Sequence, residues 1–347
     1  MNKPTQLKMN DSTDNTVGSE TIAILGAGSW GTAVAIHLSS VGFNVMLWGH
    51  TPQHVEAMIV DKCNKRYLPD SPFPSTLSPT SDLKDCLSKA TKIIIAVPSH
   101  TFSELLTKFS KKPANLAWLT KGIDPDTHHL LSQLVMDKWG ESLPIAMISG
   151  PSFAREVAQG LPTALVIAGN NVTYLEGLRK SFHHKAVRVY LSNDWVGVQL
   201  CGAVKNVLAI ACGISDGLNF GANAKAALIT RGLAEMTRLG QHLGAAAETF
   251  MGLAGVGDLV LTCTDNQSRN RRFGLQLGCG MDTDEAEKQI GQVVEGKYNA
   301  AQVCALALQY DVDMPICSEV NALLQGQVDA KQAVLNLMSR PPRTISD

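Results

Sequence analysis

A short glycine-rich stretch near the N-terminus constrains the fold of this chain more than any other feature. The sequence GAGSWG at 26–31 directly follows the apolar run Thr21–Leu25 and directly precedes a helix-forming run at 32–38. A strand, G-x-G-x-x-G and a helix, in that order, form the dinucleotide-binding arrangement of doubly wound α/β folds. An isolated G-x-G-x-x-G also occurs as an ordinary turn, but this context favours binding of a dinucleotide.

The three glycines of this fingerprint have separate roles. Gly26 permits the tight turn, Gly28 lets the backbone approach a pyrophosphate, and Gly31 lets the helix pack closely on the strand. The N-terminus of that helix offers free N–H groups and a positive dipole end to phosphates.

The end of the second predicted strand, at 43–48, bears on the choice between NAD and NADP. NAD-specific sites usually carry Asp or Glu there, bonded to the adenosine ribose 2′-OH. Here Trp48 is followed by Gly49, His50 and Thr51. A 2′-phosphate would meet no repulsion, so the sequence favours NADPH, with NADH tolerated. His50 is either a contact for that phosphate or a plain surface-loop histidine.

Length and pattern predict three parts. The 347 residues suggest two domains. Residues 1–19 are polar and rich in Ser, Thr and Asn, which predicts a disordered tail. In 20–193, strands alternate with helices, which predicts a Rossmann-type, doubly wound, mostly parallel sheet. From 194 to 347 long helical segments replace the strands, which predicts an all-α C-terminal domain.

Ligands of such sheets bind beyond the carboxyl ends of the strands. Lys121, Gly150 and Ser152 follow predicted strands and should lie at that edge. The proline-rich segment 66–79 is predicted to be an ordered surface loop.

Charged residues in the second half are candidates for chemistry. Lys205 lies within an apolar helix, where burial would lower its pKa towards neutrality, although a lysine paired in the core would look the same. Asp258 ends a glycine-rich turn and holds either this lysine or a substrate hydroxyl, or else caps a helix. Three arginines in SRNRR at 268–272 suit a phosphate, or else form a solvated basic face. Asn206 is positioned to orient a partner of Lys205.

Composition excludes several classes of protein. A net charge of −1 argues against broad binding to nucleic acid or anionic membranes. No run of consecutive apolar residues is long enough to span a membrane, and the N-terminus lacks a signal-peptide core. The eight cysteines form no C-x-x-C pair, which favours reduced packing cysteines in a cytoplasmic protein. No metal site is predicted.

The sequence contains seven ordered blocks: GAGSWGTA, IIAVPSH, LTKGI, SGPSFAREV, GAVKNVLAIACGISDGL, LAGVGDLVLTCTDNQSRNRRFG and VVEG. Together they resemble the NAD(P)-dependent sn-glycerol-3-phosphate dehydrogenases of bacterial type. The resemblance extends from residue 21 to about residue 340. It implies reversible reduction of dihydroxyacetone phosphate to sn-glycerol 3-phosphate with NADP or NAD, for glycerophospholipid synthesis in the cytoplasm, and it allows a homodimer.

The resemblance also implies roles for individual residues. Lys205 matches the proton donor and acceptor. The implied cofactor contacts beyond the glycines are Ser29, Trp30, His50, Lys121, Ala154, Arg269, Val293 and Glu295. The implied substrate contacts are Lys121, Gly150, Ser152, Lys205, Asp258, Ser268, Arg269 and Asn270. Family members often carry Arg near position 50, so His50 weakens the argument for NADP.

Two other functions fit parts of the sequence. A reductase of the 6-phosphogluconate or ketopantoate type shares the fold and cofactor, but does not need the SRNRR cluster after an LAGVGD turn. A non-enzymatic sensor of NAD(P)H would use residues 26–31, but has no use for a buried lysine and a phosphate-binding arginine set.

Overall fold

The computed structural model describes residues 20–184 and 186–340. The predicted disordered tail at 1–19 therefore lies outside the described residues. The described chain has an N-terminal part built on one large sheet and a C-terminal part made of helices.

The large sheet has eight strands in the order β10-β9-β8-β7-β6-β1-β2-β5. All neighbouring pairs are parallel except β8 and β9, which pair antiparallel. The predicted mostly parallel sheet is thus confirmed. In chain order the strands, including a separate β3–β4 ribbon, are β1 (Thr21–Leu25), β2 (Asn44–Trp48), β3 (Cys63–Asn64), β4 (Leu68–Pro72), β5 (Leu77–Thr80), β6 (Lys92–Ile95), β7 (Leu116–Trp118), β8 (Ile145–Ser149), β9 (Thr163–Gly169) and β10 (Val187–Ser192).

The prediction of a surface loop at 66–79 is wrong. β4 pairs antiparallel with β3, and β5 forms the edge of the large sheet beside β2. Proline lacks the N–H that a central strand must donate, so it is confined to edges and irregular pairings. Pro72 in the small ribbon and Pro79 in the edge strand are at such positions.

Helices flank the sheet and make up the C-terminal part. The helices α1 to α7 belong to the sheet-containing half: α1 (Ser29–Ser40), α2 (Pro52–Asp61), α3 (Leu83–Lys89), α4 (Phe102–Thr107), α5 (Leu131–Trp139), α6 (Ala154–Ala158) and α7 (Val172–Phe182). The remaining ones are α8 (Trp195–Gly217), α9 (Gly221–His242), α10 (Ala247–Phe250), α11 (Asp258–Thr264), α12 (Arg269–Gly278), α13 (Thr283–Ile290), α14 (Glu295–Gln309), α15 (Pro315–Leu324) and α16 (Ala330–Met338).

α8 is the central helix of the C-terminal part, and α9, α11, α12, α14 and α15 pack around it. Asp194 caps its first turn by accepting a hydrogen bond from the Gly197 N–H. By its length and mean hydropathy this helix could cross a membrane, although it contains no long run of consecutive apolar residues. Its most apolar window is entirely buried within the protein.

Glycines let α8 and α12 pack with their backbones in contact. A Cβ added to Gly213 would lie 2.1 Å from the Arg271 carbonyl oxygen, and one added to Gly274 would lie 2.1 Å from that of Ile210. This close packing fixes the N-terminus of α12, and with it the start of the SRNRR segment, beside the middle of α8.

All eight cysteines lie among the described residues and are free thiols. Six of them are buried, while Cys279 is exposed and Cys304 is partly exposed. Most of these side chains thus pack in the core.

Candidate active site

A cavity of about 520 Å³ lies between the carboxyl edge of the sheet and the helices α8, α11 and α12. It brings together nearly all predicted site residues, from both halves of the chain. The predicted residues in its wall are Gly26, Gly28, Ser29, Trp30, His50, Lys121, Ser152, Ala154, Lys205, Asp258, Ser268, Arg269, Asn270, Val293 and Glu295.

Gly31 and Gly150 are the two predicted residues outside this wall. A Cβ on Gly31 would lie 2.0 Å from the Gly26 carbonyl oxygen, so Gly31 supports the close packing of α1 on the turn. Gly150 has a φ of +125° after β8, and its carbonyl accepts a hydrogen bond from Ser152 Oγ at 3.1 Å. Both glycines shape the backbone behind the cavity.

The glycine-rich loop fits a dinucleotide. Gly26 has a φ of +133°, and a Cβ there would lie 2.6 Å from backbone atoms of Ala96. A Cβ on Gly28, in contrast, would meet no protein atom within 4 Å, so the space before it is open. The Nε1–H of Trp30 is buried and has no hydrogen-bond partner among the described residues. An uncrowded loop at a helix N-terminus suits a phosphate-bearing ligand.

The end of β2 carries no acidic side chain into the cavity. Gly49, His50 and Thr51 line it, as the sequence order predicts for the adenosine end. The pKa of the nearby Glu104 carboxylate is lowered mainly by Lys108 and to a smaller extent by His50. This glutamate is paired with Lys108 at 2.8 Å and is not part of the wall.

A buried carboxylate between two lysines forms the opposite end of the cavity. Asp258 Oδ1 lies 2.6 Å from Lys205 Nζ, and Asp258 Oδ2 lies 2.8 Å from Lys121 Nζ. Lys205 is 6% exposed and Asp258 is 1% exposed. The three residues come from α8, α11 and the segment after β7, so only the folded chain brings them together.

Burial and the neighbouring charges adjust the protonation of this cluster. Burial and, to a smaller extent, Lys121 lower the pKa of Lys205, Asp258 opposes the shift, and the net value is about 7. Burial alone would raise the pKa of Asp258, but Lys121 and Lys205 outweigh burial and bring it below its usual range. The arrangement is a fixed carboxylate beside an amine that can exchange a proton near neutral pH.

The structure corrects the local setting of Asp258. The segment predicted as a glycine-rich turn is a π-helical turn, Leu253–Gly257, that continues directly into α11. Gly257 is the residue that precedes the helix, and the Asp258 side chain is bonded to the two lysines. Asp258 is therefore not the helix cap that the alternative interpretation proposed.

Thr262 is a member of the cluster that sequence reasoning missed. Its Oγ1 accepts a hydrogen bond from Lys205 Nζ at 3.0 Å and donates one to the Asp258 carbonyl at 2.6 Å. Thr262 follows Asp258 by four positions, and this spacing places both residues on one face of a helix. That signal was present, but it needed the segment to be recognised as helical.

The N-terminus of α12 supplies the polar residues beside the lysines. Ser268 Oγ caps the helix by accepting from the Arg271 N–H. Asn270 Nδ2 donates to Asn206 Oδ1 at 3.0 Å, and Asn270 Oδ1 accepts from the Gly296 N–H at 2.9 Å. Asn206 therefore orients Asn270 across the gap between α8 and α12.

The arginines of this segment have different surroundings. Arg269 lines the cavity, its Nη1 donates to the Val293 carbonyl at 2.9 Å, and burial lowers its pKa. Arg271 is buried and forms an ion pair with Asp216, away from the cavity. Arg272 also lines the cavity and is exposed. The alternative of a uniformly solvated basic face does not describe this helix.

The segment before α14 joins the two halves. Ser29 Oγ, in the glycine-rich loop, donates to Gln292 Oε1 at 3.1 Å. Glu295 begins α14 and accepts from Ser99 Oγ at 3.3 Å, and its burial raises its pKa to about 7. Val293 contributes its carbonyl to Arg269. Gln292 and Ser99 were not identified from the sequence.

The β3–β4 hairpin, which was not predicted from the sequence, adds Arg66, Tyr67 and Leu68 to the wall. The neighbouring helix α2 adds His54. The cause of the omission was the assignment of 66–79 to a surface loop. A glycine or charge motif that would have marked these residues is absent from this part of the sequence.

Comparisons with known proteins identify the family of this chain. Models of the N-terminus and C-terminus of NAD-dependent glycerol-3-phosphate dehydrogenase match residues 21–175 and 194–335. A glycerol-3-phosphate dehydrogenase [NAD(P)+] of Legionella pneumophila (strain Paris) is 64% identical over 327 residues, which cover 94% of this chain and 99% of the relative.

Solved structures give the same result. The crystal structure of glycerol-3-phosphate dehydrogenase from Coxiella burnetii has a TM-score of 0.90 and 51% identity, covering 93% of this chain and 99% of its own. A ketopantoate reductase from Ralstonia eutropha JMP134 has a TM-score of 0.58 at 16% identity, covering 90% and 99%, and shares the fold alone. The chain therefore belongs to the family of NAD-dependent glycerol-3-phosphate dehydrogenases.

Proposed function

We propose that this protein is an NAD(P)-dependent oxidoreductase that reversibly reduces dihydroxyacetone phosphate to sn-glycerol 3-phosphate. The observation that carries the proposal is the Lys205–Asp258–Lys121 cluster, in one cavity with a phosphate-compatible glycine loop. Family membership and the activity named for the Legionella and Coxiella relatives support it.

The cofactor end would hold the dinucleotide at 26–31. Gly28 leaves room for the pyrophosphate, Ser29 and Trp30 line the same part of the cavity, and α1 contributes its N-terminus. When bound, NAD(P)H supplies the hydride. Ala154, Val293 and Glu295 complete the cofactor contacts in this proposal.

Lys205 is the proposed proton donor for reduction and acceptor for oxidation. Hydride arrival at the carbonyl carbon leaves negative charge on oxygen, which an ammonium neutralises by donating a proton. A lysine amine with a pKa near 7 holds and releases that proton at neutral pH. Thr262, which accepts from Lys205 Nζ, fixes the direction of the amine.

Lys121 and Asp258 are the proposed positioning and polarising residues. Asp258 holds both amines, so the lysines stay close without mutual repulsion moving them apart. Lys121, paired with the carboxylate of Asp258, stabilises negative charge on the substrate in this proposal. Gly150 and Ser152 belong to the substrate loop in this proposal.

The N-terminus of α12 is the proposed phosphate site. Arg269 offers a partly buried guanidinium, and guanidinium groups form strong charge-assisted bonds to phosphate. Ser268 and Asn270 line the same part of the wall and are held by helix capping and by Asn206.

The proposal includes a preference for NADPH, with NADH tolerated. The wall after β2 contains Gly49, His50 and Thr51 and no carboxylate. A ribose 2′-OH would therefore lack its usual acidic partner, while a 2′-phosphate would meet no negative charge there.

The wider setting is part of the proposal. The sheet-containing half, 20–193, would bind the dinucleotide, and the helical half, 194–347, would supply the proton and phosphate contacts. The product would enter glycerophospholipid synthesis in the cytoplasm. A homodimer is the proposed assembly, which sedimentation of the purified protein tests directly.

The activity is tested by following NADPH oxidation with dihydroxyacetone phosphate, and then repeating the assay with NADH. Turnover with dihydroxyacetone phosphate, and little with unphosphorylated dihydroxyacetone, is the expected result. Activity confined to ketopantoate or a larger sugar acid would overturn the proposed substrate. Absence of turnover with every phosphorylated ketone would favour a sensor of NAD(P)H.

A further inference from the structure

The β3–β4 hairpin is tied directly to the glycine-rich loop. Asn64 is fully buried, and its Nδ2 donates to the Ala27 carbonyl at 3.0 Å and to Thr32 Oγ1 at 2.9 Å. Ala27 lies inside the fingerprint, and Thr32 lies in α1. The turn that follows Asn64 therefore has a fixed position relative to the phosphate-binding loop.

The same turn also contacts the helix that follows β2. His54 Nε2 lies 3.0 Å from Asn64 Oδ1, and the His54 ring packs edge-on against Tyr67 at a centroid distance of 5.7 Å. His54 is in the first turn of α2, and this helix begins directly after His50 and Thr51. The end of β2 and the residues 64–67 thus form one continuous wall at the adenosine end of the cavity.

Arg66 is the arginine that this wall contributes to the cavity. It lines the cavity with His50, Thr51 and His54, and its guanidinium lies 5.4 Å from the centroid of the Tyr67 ring. No ion pair joins it to a carboxylate anywhere in the described ranges, 20–184 and 186–340. A guanidinium that lies over an aromatic ring, and whose N–H groups meet no hydrogen-bond acceptor among the described residues, is suited to bidentate binding of a phosphate.

Two acidic side chains that share a cavity wall with Arg66 are held by another cation. Arg66 also borders a smaller adjoining cavity that Asp284 and Glu287 line. Lys297 Nζ lies 3.4 Å from Asp284 Oδ1 and 2.7 Å from Glu287 Oε2. These carboxylates are thus already paired, which leaves Arg66 available to an anionic ligand.

We propose that Arg66 binds the 2′-phosphate at the adenosine end of NADPH and so sets the preference for NADPH over NADH. This specificity role rests on the proposed dehydrogenase function. It places the determinant on the hairpin beside the β2 end, whereas an NAD-specific site places an acidic residue at the end of β2 itself.

The test compares Arg66→Ala and Arg66→Lys with Lys65→Ala in the full-length protein. Lys65 is the neighbouring cation of the same turn; it is paired with Asp61 and does not line the cavity, so it is the matched control. For each variant, kcat/KM is measured for NADPH and for NADH at saturating dihydroxyacetone phosphate. Affinity for adenosine 2′,5′-bisphosphate and for 5′-AMP is measured by calorimetry.

Arg66→Ala should lower kcat/KM for NADPH by about ten- to a hundred-fold, the range for one charge-assisted contact, and leave the value for NADH within about two-fold. Arg66→Lys should keep part of the NADPH activity because it keeps the charge. Lys65→Ala should change neither cofactor. Binding of adenosine 2′,5′-bisphosphate should weaken with Arg66→Ala, while binding of 5′-AMP should not.

Equal losses with both cofactors, or no loss with NADPH, would overturn the assignment. A raised KM for dihydroxyacetone phosphate with NADH would instead make Arg66 a substrate-phosphate contact and would also overturn it. If the wild type turns over no substrate, the proposed function fails. The two adenosine nucleotides still test Arg66 in that case, because they measure the 2′-phosphate contact without catalysis.

Discussion

The two ends of the cavity are built by different means. At the proposed cofactor end, the backbone of three glycines shapes the site. Gly26 permits the turn, Gly28 leaves open space, and Gly31 lets α1 approach the turn. At the other end, long charged side chains make it, with Asp258 between Lys121 and Lys205. Adding atoms should damage the first end, and removing atoms should damage the second.

The difference also concerns distance along the chain. The glycine loop is complete within six residues, so its function is visible in a local motif. The cluster joins Lys121 to Asp258 across 137 positions and Lys205 to Asp258 across α8 and α11. Such a cluster has no local signature, because its geometry depends on how the helices pack.

The largest expected effect is loss of the amine at position 205. Lys205→Ala should lower kcat by about 10²- to 10⁴-fold, the usual contribution of a general acid. Lys205→Arg should also fail, because a guanidinium does not release its proton near neutral pH. Stopped-flow turnover and NADPH titration are the measurements, and NADPH should still bind because the glycine loop is unchanged.

Circular dichroism of both variants is the control for folding. Normal turnover in either folded variant would remove Lys205 from the mechanism. Loss of NADPH binding together with turnover would show that the two ends of the cavity are not separable.

Removing the guanidinium of Arg269 should give the next largest effect. Arg269→Ala should cost about 2–4 kcal/mol in kcat/KM for dihydroxyacetone phosphate, the scale for losing a charge-assisted pair in a desolvated site. Arg231→Ala is the matched control, because Arg231 is exposed on α9 and does not line the cavity. A normal kcat/KM in Arg269→Ala would show that the guanidinium does not bind the substrate phosphate.

Two single-methyl additions should separate cofactor binding from folding at the glycine end. In Gly28→Ala the new Cβ meets no protein atom within 4 Å, so thermal stability should hold while NADPH affinity falls at least about tenfold. In Gly31→Ala the Cβ would lie 2.0 Å from the Gly26 carbonyl, which should cost about 1–3 kcal/mol of stability. Thermal melts with and without NADPH measure both effects.

Equal loss of stability in both variants would contradict this division. Full NADPH affinity in Gly28→Ala would show that the open space before Gly28 does not receive the phosphates.

The pH dependence should report on the charged end. Burial contributes most to lowering the pKa of Lys205 to about 7, and in the proposed mechanism reduction needs the protonated amine. Reduction of dihydroxyacetone phosphate should therefore fall as pH rises through about 7, while oxidation of glycerol 3-phosphate should rise over the same interval. Asp258→Asn removes the carboxylate that raises this pKa, so both limbs should move to lower pH. Profiles that do not move would place the titrating group elsewhere.

The sequence was sufficient for the fold class and for much of the candidate site. Local patterns predicted the parallel sheet, the glycine loop and the apolar helix that carries Lys205. They failed where tertiary packing decides the structure. Helix α12 contains glycines and several charges, and its helical state depends on close packing against α8 through Gly213 and Gly274.

Prolines caused the other main error. The segment 66–79 was assigned to a loop because it contains several prolines, yet β4 and β5 are edge or ribbon strands that tolerate them. This error concealed Arg66 and Tyr67, while Thr262 was concealed because α11 was not recognised as a helix. In each case the missed residue lies on or beside a helix or strand that is stabilised by contacts with residues far away in the sequence.

The smallest expected effect is a change in cofactor choice at the end of β2. Gly49→Asp should lower the ratio of kcat/KM for NADPH to that for NADH by about tenfold, because a carboxylate repels a 2′-phosphate and accepts a ribose 2′-OH. A Cβ at this position would lie 3.0 Å from Val55 Cγ2, so a small local shift is needed. Gly49→Asn has nearly the same shape without the charge and is the matched control. A ratio that falls equally in both variants would attribute the effect to this shift, and a strong wild-type preference for NADH would contradict the proposed cofactor. If Gly49→Asp and Arg66→Ala each lower the ratio, the backbone-built end of the cavity also uses side chains, but only to choose between its cofactors.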